Sequence, residues 1–516
     1  MNESSPPALP GPIRTTSPTA PEGPDGLPDP RRWWGLVFIA LAQLMVVLDS
    51  TIVNIALPSA QRALDMSDGS RQWVITAYTL AFGGLLLLGG RIADVVGRKR
   101  TLVIGLVGFA VASALGGAAQ TPGMLFAARA LQGVFAALLA PSALSLMTTT
   151  FTDPRERSKA FGVFGALAAA GGAIGLLLGG VLTEYVDWRW CLYANIPIAL
   201  VAVAGTLLLL RDRPGTRAAK LDVPGVVLGC GGLVAVVYGF SEAEARGWVD
   251  ARVLALLLGG LLLLACFTYW QTRTPTPLLP LRVLADRNRA GSFLTMSFGT
   301  IGVFGVYLFM TYYLQEVLGY SALEAGLAFL PMSAAIMTGS TQVAARLLPR
   351  VPPRLLLVPG VLLGASGLTL LALVEADSAY ATHVLPGMLL MGLGMGMTYM
   401  PIFATATLGV RPQDAGVTSA MVNTTQQVGG SLGTALLNTI AASATSTYLD
   451  AHRAGPAEEA RVLRDAAVHG FSQALWWTVG AMLLAALVAG LLVTAGPASR
   501  SGAAPGPPAS PAPPGT

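Results

Sequence analysis

Apolar residues along this chain form long continuous runs. Each run is about twenty residues long, the length that a helix needs to cross the hydrocarbon layer of a bilayer. Spanning β-strands would instead alternate over about ten residues. The pattern therefore predicts an all-α integral membrane protein with fourteen transmembrane helices. The predicted spans are 33–57, 72–90, 102–119, 124–147, 160–183, 190–210, 223–240, 253–270, 290–314, 325–347, 355–374, 384–408, 416–444 and 471–494.

Composition and charge support this class and predict an orientation. Of the 516 residues, 53% are hydrophobic and 11% are charged, whereas a soluble protein carries about 25% charged residues. Most of the 32 Lys and Arg residues fall in alternate loops, and such loops face the cytoplasm. We expect a multi-pass plasma-membrane protein with both termini cytoplasmic. The Pro- and Gly-rich ends, 1–30 and 496–516, are predicted to be disordered.

Two charged breaks divide the predicted spans into groups of six, two and six. The breaks are 210–220 and 271–289. They predict an N-terminal six-helix bundle at 33–210, two inserted helices at 223–270 and a C-terminal six-helix bundle at 290–494. An even number of spans with both ends inside suits a transporter built from two halves. The last outer loop is predicted to carry a short surface helix, 457–468.

Asp49 and Arg129 are charged residues deep inside predicted spans. A carboxyl group there costs about 2.5–3.5 kcal/mol on insertion scales, which makes Asp49 a functional candidate. The two side chains could pair or share a hydrogen-bond network. An opposite charge favours the ionised carboxylate, whereas desolvation favours the protonated one. The pair is either a site that exchanges a proton or a static ion pair that holds spans one and four together.

The loop between spans two and three reads GGRIADVVGRKR. Glycine allows helix ends to approach closely, and Asp94 can pair with an arginine or accept hydrogen bonds from a helix N-terminus. The spaced residues are Gly90, Asp94, Gly97, Arg98, Lys99 and Arg100. This spacing resembles the signature loop of the major facilitator superfamily, which implies a gating loop. The alternative is an ordinary basic cytoplasmic loop.

Four further motifs resemble the fourteen-span branch of that superfamily, drug:proton antiporter family 2, which comprises multidrug and quaternary-ammonium exporters. They are LDSTIVNIALP from Leu48, LFAARALQGVFAA from Leu125, GGAIGLLLGG with the following WRWCLYANIP, and YLQEVLGYSALEAGLAFLP from Tyr313. The resemblance covers about residues 33–442. It implies the major facilitator fold and assigns proton coupling to Asp49 and Arg129.

The fifth-helix antiporter motif departs from the family pattern at one position. The family usually has proline after the second glycine pair, but here Gly175 is followed by Leu176. The motif glycines are Gly171, Gly175, Gly179 and Gly180. The first three still form one smooth stripe for close helix packing. The missing proline puts the helix kink in doubt.

The resemblance implies a proton-coupled efflux transporter that exports lipophilic or cationic small molecules, such as drugs and antibiotics, by alternating access. Its partners would be small-molecule substrates, protons and the lipid bilayer. No nucleic acid and no cofactor beyond the proton gradient are expected, and the protein is expected to be a monomer. The chain lacks the phosphate-binding sequence GxxxxGK[ST], so ATP is not expected to be the direct energy source.

Three alternatives remain: a symporter or exporter of one endogenous metabolite or lipid, a membrane-embedded enzyme, and a channel. An enzyme needs paired carboxylates, a histidine or a metal cluster near the membrane. The predicted spans offer none, so no catalytic or metal-binding residue is predicted. A channel would need neither the gating loop nor the deep pair of charged residues.

Amide, aromatic and methionine side chains inside the spans are candidates for a substrate pocket. Such side chains suit adaptable recognition of lipophilic ligands. Packing or lipid-facing roles are the alternative for each of them. The candidates are Asn54, Tyr78, Gln132, Phe304, Tyr307, Met310, Tyr399, Phe403, Asn423 and Gln427.

Overall fold

The computed structural model describes residues 32–66, 73–151, 153–210, 222–411, 414–452 and 458–497. The predicted disordered ends, 1–30 and nearly all of 496–516, lie outside these residues. All regular structure within the described ranges is helical. The long helical segments are α1 (Arg32–Ala63), α2 (Trp73–Val96), α3 (Arg98–Gly117), α4 (Pro122–Thr150), α5 (Pro154–Tyr185), α6 (Trp190–Leu209), α7 (Val223–Arg246), α8 (Ala251–Gln271), α9 (Arg287–Val317), α10 (Leu323–Leu347), α11 (Arg354–Ala372), α12 (Tyr380–Ala406), α13 (Ala415–Ala451) and α14 (Glu459–Leu492).

Local sequence signals explain where several helices begin. Helix α4 starts with Pro122 in its first turn, and the hydroxyl of Thr121 accepts a hydrogen bond from the backbone N–H of Met124. Proline suits this position because the first backbone N–H groups of a helix have no partner inside it. Ser321 and Glu324 form a reciprocal capping box at the start of α10. These signals fix helix ends that apolar patterning alone leaves open.

Twelve helices within the described residues are long and apolar enough to cross a membrane. Helix α8 is an extreme case, with a mean hydropathy of 2.2 and only 17% of its span buried in the protein. An apolar surface of this kind is stable only against lipid. Helix α5 contributes a shorter apolar stretch, Ile174–Tyr185, and α13 falls below the apolarity required. The predicted count of fourteen spans is therefore not supported by apolarity, although fourteen long helices are present in the described ranges.

Helix packing shows which parts of the chain lie side by side. Helices α2 and α3 pack on α4, and α1 packs on α5 and α6. Helix α11 packs on α12 and α14, α9 packs on α13 and α14, and α10 packs on α12. The first six and last six helices meet where α2 and α4 contact α13 and where α5 contacts α10 and α12. Helices α7 and α8 pack on each other, and α7 also contacts α2 and α13.

The helix boundaries lie within six residues of the predicted ones except in the last outer loop. Helix α1 begins at Arg32, α9 at Arg287, and α14 ends at Leu492. These ends lie within a few residues of the predicted edges 33, 290 and 494. The separate surface helix predicted at 457–468 is wrong, because α14 runs without a break from Glu459. Its polar first turns continue the same helix beyond its apolar part.

A hydrogen-bonded cluster at Asp222 joins α7, α8 and the segment after α8. Asp222 Oδ1 accepts hydrogen bonds from Trp270 Nε1 at 2.8 Å and from the backbone N–H of Gly225 at 3.0 Å. Asp222 Oδ2 accepts one from Gln271 Nε2 at 2.8 Å, and Gln271 Oε1 accepts one from the backbone of Leu279 at 3.1 Å. One carboxylate therefore fixes the start of α7 against the end of α8.

We expect Asp222→Ala to lower the thermal melting temperature of the detergent-purified protein by several degrees. The change removes a helix cap, worth about 1 kcal/mol, and leaves buried N–H donors unpaired at about 1–3 kcal/mol. The matched control is Asp250→Ala, because Asp250 caps α8 through backbone N–H groups alone. Equal melting temperatures for the two variants would show that the Trp270 and Gln271 bonds contribute nothing.

The Asp222 cluster also predicts a pH dependence. Burial alone would raise the pKa of the Asp222 carboxyl, but hydrogen bonds from Trp270, Gly225 and Gln271 together hold the pKa below its ordinary value. A lowered pKa in the folded state contributes stability above the ordinary pKa of about 3.9. That stability is lost as the pH falls through the lowered value. Melting curves of wild type and Asp222→Ala should therefore converge only in strong acid.

Candidate functional site

The carboxylate of Asp49 on α1 lies at the centre of a buried polar network. Arg129 Nη1 on α4 donates a hydrogen bond to Asp49 Oδ2 at 2.6 Å. Gln132 Nε2, one helical turn along, donates to Asp49 Oδ1 at 3.0 Å, and Asn195 Nδ2 on α6 donates to the same oxygen at 2.8 Å. Both carboxylate oxygens thus accept from N–H donors, an arrangement that suits the ionised form.

Further contacts hold the donors Arg129 and Gln132 in place. Arg129 Nε donates to the backbone carbonyl of Val74 at 3.1 Å, and Arg129 Nη1 donates to Gln132 Oε1 at 2.8 Å. The Arg129 guanidinium carbon lies 4.4 Å from the ring centroid of Tyr78. Gln132 Nε2 and the hydroxyl of Ser113 are 2.7 Å apart. Five helices therefore contribute to one ion pair, and a buried pair depends on such extra hydrogen bonds.

The structure places two predicted pocket candidates in this network instead of on an open surface. Gln132 is fully buried against Asp49, and Tyr78 is buried under Arg129. Asn195 and Ser113 are absent from the predicted site. A signal for Asn195 is present in the motif WRWCLYANIP, where it is the one amide in a mostly apolar stretch. Ser113 is a single hydroxyl in an apolar run and carries a weaker signal.

The predicted loop Gly89–Arg100 is helical except at Gly97, because it comprises the end of α2 and the start of α3. It lies at one end of the helices, which we call the basic face after Arg98, Lys99 and Arg100. Asp94 Oδ1 accepts hydrogen bonds from Arg98 Nη2 at 3.2 Å and from the backbone N–H of Gly416 at 3.1 Å. Gly416 lies in the first turn of α13. Asp94 therefore places a negative charge at a helix N-terminus, where it is stabilising, and links α2 to α13.

Glycines make this link possible. A Cβ atom on Gly90 would lie 2.6 Å from the carbonyl oxygen of Gly416, and one on Gly416 would lie 2.3 Å from that of Gly90. The backbones of α2 and α13 thus touch beside Asp94. Gly97 adopts a φ of 109° between α2 and α3, a conformation that favours glycine. Lys99 Nζ donates to the carbonyl oxygen of Leu207 at 3.1 Å, which ties the loop to α6.

Further bonds at the basic face join α5 to the last six helices. Arg157 Nη2 donates to the carbonyl oxygen of Thr407 at 3.0 Å and to its hydroxyl at 2.5 Å. The hydroxyl of Ser340 donates to the carbonyl oxygen of Gly162 at 3.3 Å. Together with the bond from Gly416 to Asp94, these contacts close the basic face. They join α2 to α13, and α5 to α10 and to Thr407.

The remaining pocket candidates differ in how far they are exposed. Asn54 and Phe304 are exposed, Tyr307 and Gln427 are half-buried, and Asn423 is buried. Met310 is only 1% exposed and packs in the apolar core of the last six helices. Within the described residues, Asn54 and Phe304 are therefore the most exposed of these candidates.

Tyr399 and Phe403 take part in an aromatic cluster between α5 and α12. The two rings stack with centroids 6.5 Å apart. Phe403 also lies 6.4 Å from Phe161 and 6.3 Å from Phe164 between ring centroids. This cluster lies towards the basic face, close to Arg157 and Thr407 along the chain. It packs α5 of the first six helices against α12 of the last six.

Three glycines of the fifth-helix motif face α1 at intervals of one turn, Gly171, Gly175 and Gly179. A Cβ atom on Gly175 would lie 1.9 Å from Thr51 Oγ1 and 3.0 Å from the carbonyl oxygen of Leu48. The stripe therefore holds α5 against the turn of α1 that carries Asp49. The fourth motif glycine, Gly180, has no atom of another described helix within 4 Å of its Cβ position. It takes no part in this contact.

We expect Gly175→Ala to reduce transport by about tenfold or more, whereas Gly180→Ala retains wild-type transport. The added methyl group of the first variant would force α5 away from Leu48 and shift Asp49 from its donors. Overpacking of this kind costs about 1–3 kcal/mol. The measurement is dye efflux from vesicles that contain equal amounts of each variant. Equal transport by both variants would mean that the stripe has no part in positioning Asp49.

Lipid-compatible helices, a buried charge network and a face closed by contacts between two helix groups define a membrane transporter of small solutes. Residues 39–434 match the family described as Major Facilitator Superfamily. The chain belongs to this family. The human organic anion transporter MFSD10 (TETRAN) shares the fold, with a TM-score of 0.62 at 16% identity over 89% of this chain and 100% of that one.

The relatives include named export and resistance proteins. The puromycin resistance protein pur8 of Streptomyces alboniger is 57% identical over 90% of this chain and 92% of its own. The cephamycin export protein CmcT of Amycolatopsis lactamdurans is 40% identical over 80% of this chain and 85% of its own. These findings confirm the predicted class: the chain is a membrane transport protein of this superfamily and not an enzyme.

Proposed function

We propose that this protein exports lipophilic or cationic antibiotics across the plasma membrane in exchange for protons. The observation that carries the proposal is the buried Asp49 carboxylate, held by Arg129, Gln132 and Asn195. A charge at this depth is costly and marks a functional site. The names of the relatives support antibiotics as the substrate class, because two of them denote resistance to, or export of, an antibiotic.

We propose that the basic face is cytoplasmic and that all fourteen long helices of the described ranges span the bilayer, as in drug:proton antiporter family 2. Helices α5 and α13 have 32 and 37 residues, ample to span. Helix α13 packs against α2, α4, α7, α9 and α14. A span surrounded by protein needs less apolar surface than one surrounded by lipid.

The same proposal divides the chain into an N-terminal bundle (α1–α6), an inserted pair (α7 and α8) and a C-terminal bundle (α9–α14). The bundles would move relative to each other at the α2/α13 and α5/α10 contacts. Helix α7 contacts α2 of the N-terminal bundle and α13 of the C-terminal bundle. The inserted pair would therefore lie beside the interface at which the bundles move. We propose a monomer, because the two bundles of one chain together supply all the contacts described at the closed basic face.

Alternating access follows from the difference between two states. In the state with the basic face closed, water from outside would protonate Asp49 and relax its pairing with Arg129. With the basic face open, the proton would leave to the cytoplasm and substrate would bind. Each state is favoured only by its differential affinity for proton and substrate. The exposed Ser50 and Asn54, on the turns of α1 beside Asp49, support an outer opening while the basic face is closed.

The pocket would lie between the bundles above the Tyr399 and Phe403 cluster. Asn54 and Phe304 would contribute from the two sides, with Tyr307 and Gln427 as further lining. Such a mixture of aromatic rings and amides suits ligands that are apolar with one or two polar groups. The exposure of Asn54 and Phe304 in this closed-basic-face arrangement supports the assignment.

The test is transport by purified protein in proteoliposomes, with puromycin and a cationic dye as separate probes. We expect both probes to move against their gradients when a proton gradient is imposed and to stop when it is collapsed. Movement of only one probe would favour the alternative of a single-substrate exporter. Transport that is unaffected by collapse of the proton gradient would overturn proton coupling.

A further inference from the structure

Asn195 differs from the other donors of the Asp49 network in having an unused acceptor. Its Oδ1 atom is buried and has no hydrogen-bond partner among the described residues, while its Nδ2 donates to Asp49. The amide of Gln132 uses both ends, since its Oε1 accepts from Arg129 and its Nε2 donates to Asp49. A buried acceptor without a partner is costly and calls for an explanation.

Protonation of Asp49 would create a matching deficit. Among the described residues, the carboxyl oxygens face only donors, namely Arg129 Nη1, Gln132 Nε2 and Asn195 Nδ2. A protonated carboxyl carries an O–H group that needs an acceptor, and arginine has none to offer. Rotation of the Gln132 amide would break its bond from Arg129. Rotation of the Asn195 amide breaks only the bond to the carboxyl itself and turns the unused Oδ1 towards the new proton.

We propose that Asn195 is an amide switch that serves both protonation states of Asp49; this inference rests on the proposed proton coupling. With Asp49 ionised, Asn195 Nδ2 donates to Asp49 Oδ1. When a proton from water bonds to Asp49 Oδ1, the amide turns about its last torsion, which has two comparable orientations, and Asn195 Oδ1 accepts that O–H. Loss of the proton to water on the other side reverses the turn, so Asn195 positions the proton without carrying it.

The neighbouring titratable groups leave this task to Asn195. Those that face Asp49 within the described residues are Arg129 of α4, Tyr78 of α2 and Cys191 of α6. Arg129 stays a donor. The Cys191 thiol lies against Thr183 and the carbonyl oxygen of Gly179. The hydroxyl of Tyr78 is buried and also without a partner, which makes it the competing acceptor in the test.

The test is infrared difference spectroscopy on the full chain in lipid nanodiscs, with the proton alone as the probe. All asparagines carry a carbon isotope label in the side-chain carbonyl group. The band of Asn195 is identified as the labelled band that disappears in both Asn195→Leu and Asn195→Ser. The Asp49 carboxyl band is the one lost in Asp49→Asn. We expect the Asn195 band to move to lower frequency, in step with the Asp49 band, as the pH is lowered. Tyr78→Phe should leave that movement unchanged.

Two substitutions separate a switch from a packing role. Asn195→Ser introduces a hydroxyl, which can rotate to donate or accept a hydrogen bond as the amide does. Substrate-induced proton release should therefore be largely retained. Asn195→Leu keeps the branched shape without either function, and release should fall about tenfold or more, the effect of one lost buried hydrogen bond. Asn288→Leu, at an asparagine in α9 whose Oδ1 accepts from the backbone N–H groups of Thr494 and Ala495, is the control and should leave the Asp49 band unchanged.

Each outcome is decisive. A static Asn195 band while Asp49 titrates, or equal release from the Ser and Leu variants, overturns the switch and leaves proton coupling intact. Loss of the band movement in Tyr78→Phe assigns the acceptor to Tyr78 instead. If no carboxyl band disappears in Asp49→Asn, the proposed proton site itself fails. Should Asn195→Leu not fold, the labelled wild type and Asn195→Ser still decide.

Discussion

Asp49→Asn is expected to abolish gradient-driven efflux while the protein still folds and inserts. Asparagine has nearly the volume of aspartate but carries no exchangeable proton. Its side-chain oxygen can still accept from Arg129, and its amide can donate to the unused Oδ1 of Asn195. Gln132 Nε2 loses its acceptor on residue 49 but keeps its contact with the hydroxyl of Ser113, while Arg129 and Asn195 remain paired. The variant resembles the permanently protonated state, so binding of cationic substrates weakens while binding of neutral ligands persists, and the return step no longer depends on the gradient.

The measurement is substrate-induced proton release from detergent-purified protein, together with efflux from proteoliposomes. Wild type should release protons when puromycin binds, and Asp49→Asn should release few or none. The control is Asp65→Asn, because Asp65 is an exposed acid at the end of the same helix and the chemical change is identical. Equal release from wild type and Asp49→Asn would move the proton site to another acid, such as Glu184, Glu242 or Glu244.

The partner of Asp49 cannot be removed as safely. Arg129 is 2% exposed and donates to Val74, Asp49 and Gln132. Removal of one member of a buried ion pair costs about 3–5 kcal/mol, because the other charge remains buried without a partner. We therefore expect Arg129→Ala to lose folded protein as well as coupling. For this reason Asp49→Asn is the cleaner test of the proton site.

Apolar run length alone was enough to predict most of the fold. It located the helices to within a few residues, because a lipid-facing helix must be apolar over its full length. The run 416–444 also predicted α13, but α13 is not among the twelve helices apolar enough to span, because its Thr, Gln, Asn and Gly residues face other helices. Burial in protein removes the demand for apolarity, so hydropathy cannot distinguish such a span from a long polar helix.

The site could be predicted only in part. Asp49 and Arg129 stand out because charge is rare in the membrane. Their pairing, and the contributions of Asn195 and Ser113, depend on the relative rotation of five helices. Sequence spacing fixes neighbours within one helix, such as Arg129 and Gln132, but not between helices. Likewise the glycines of the Gly89–Arg100 loop predicted close contact, whereas Gly416 as the partner became visible only in the fold.

Gly416→Ala is expected to open the basic face and favour the inward-facing state. Its new methyl group would lie 2.3 Å from the backbone oxygen of Gly90 and 2.7 Å from the Asp94 carboxyl. Backbone cannot move aside as a side chain can, so α2 and α13 must separate and the bond between Asp94 and Gly416 is lost. Strain of about 1–3 kcal/mol shifts the balance of two states by roughly 5- to 150-fold.

The change can be measured as a distance across the basic face. Spin labels at the exposed positions Arg100 and Arg411, in a background without native cysteines, should show a longer distance in Gly416→Ala than in wild type. Asp94→Asn should move the distance in the same direction by a smaller amount, because it removes the charge at the helix N-terminus but adds no clash. The matched control is Gly480→Ala in α14, where the added Cβ meets nothing within 4 Å.

An unchanged distance in Gly416→Ala, with transport intact, would show that the Gly89–Arg100 loop does not hold the basic face closed.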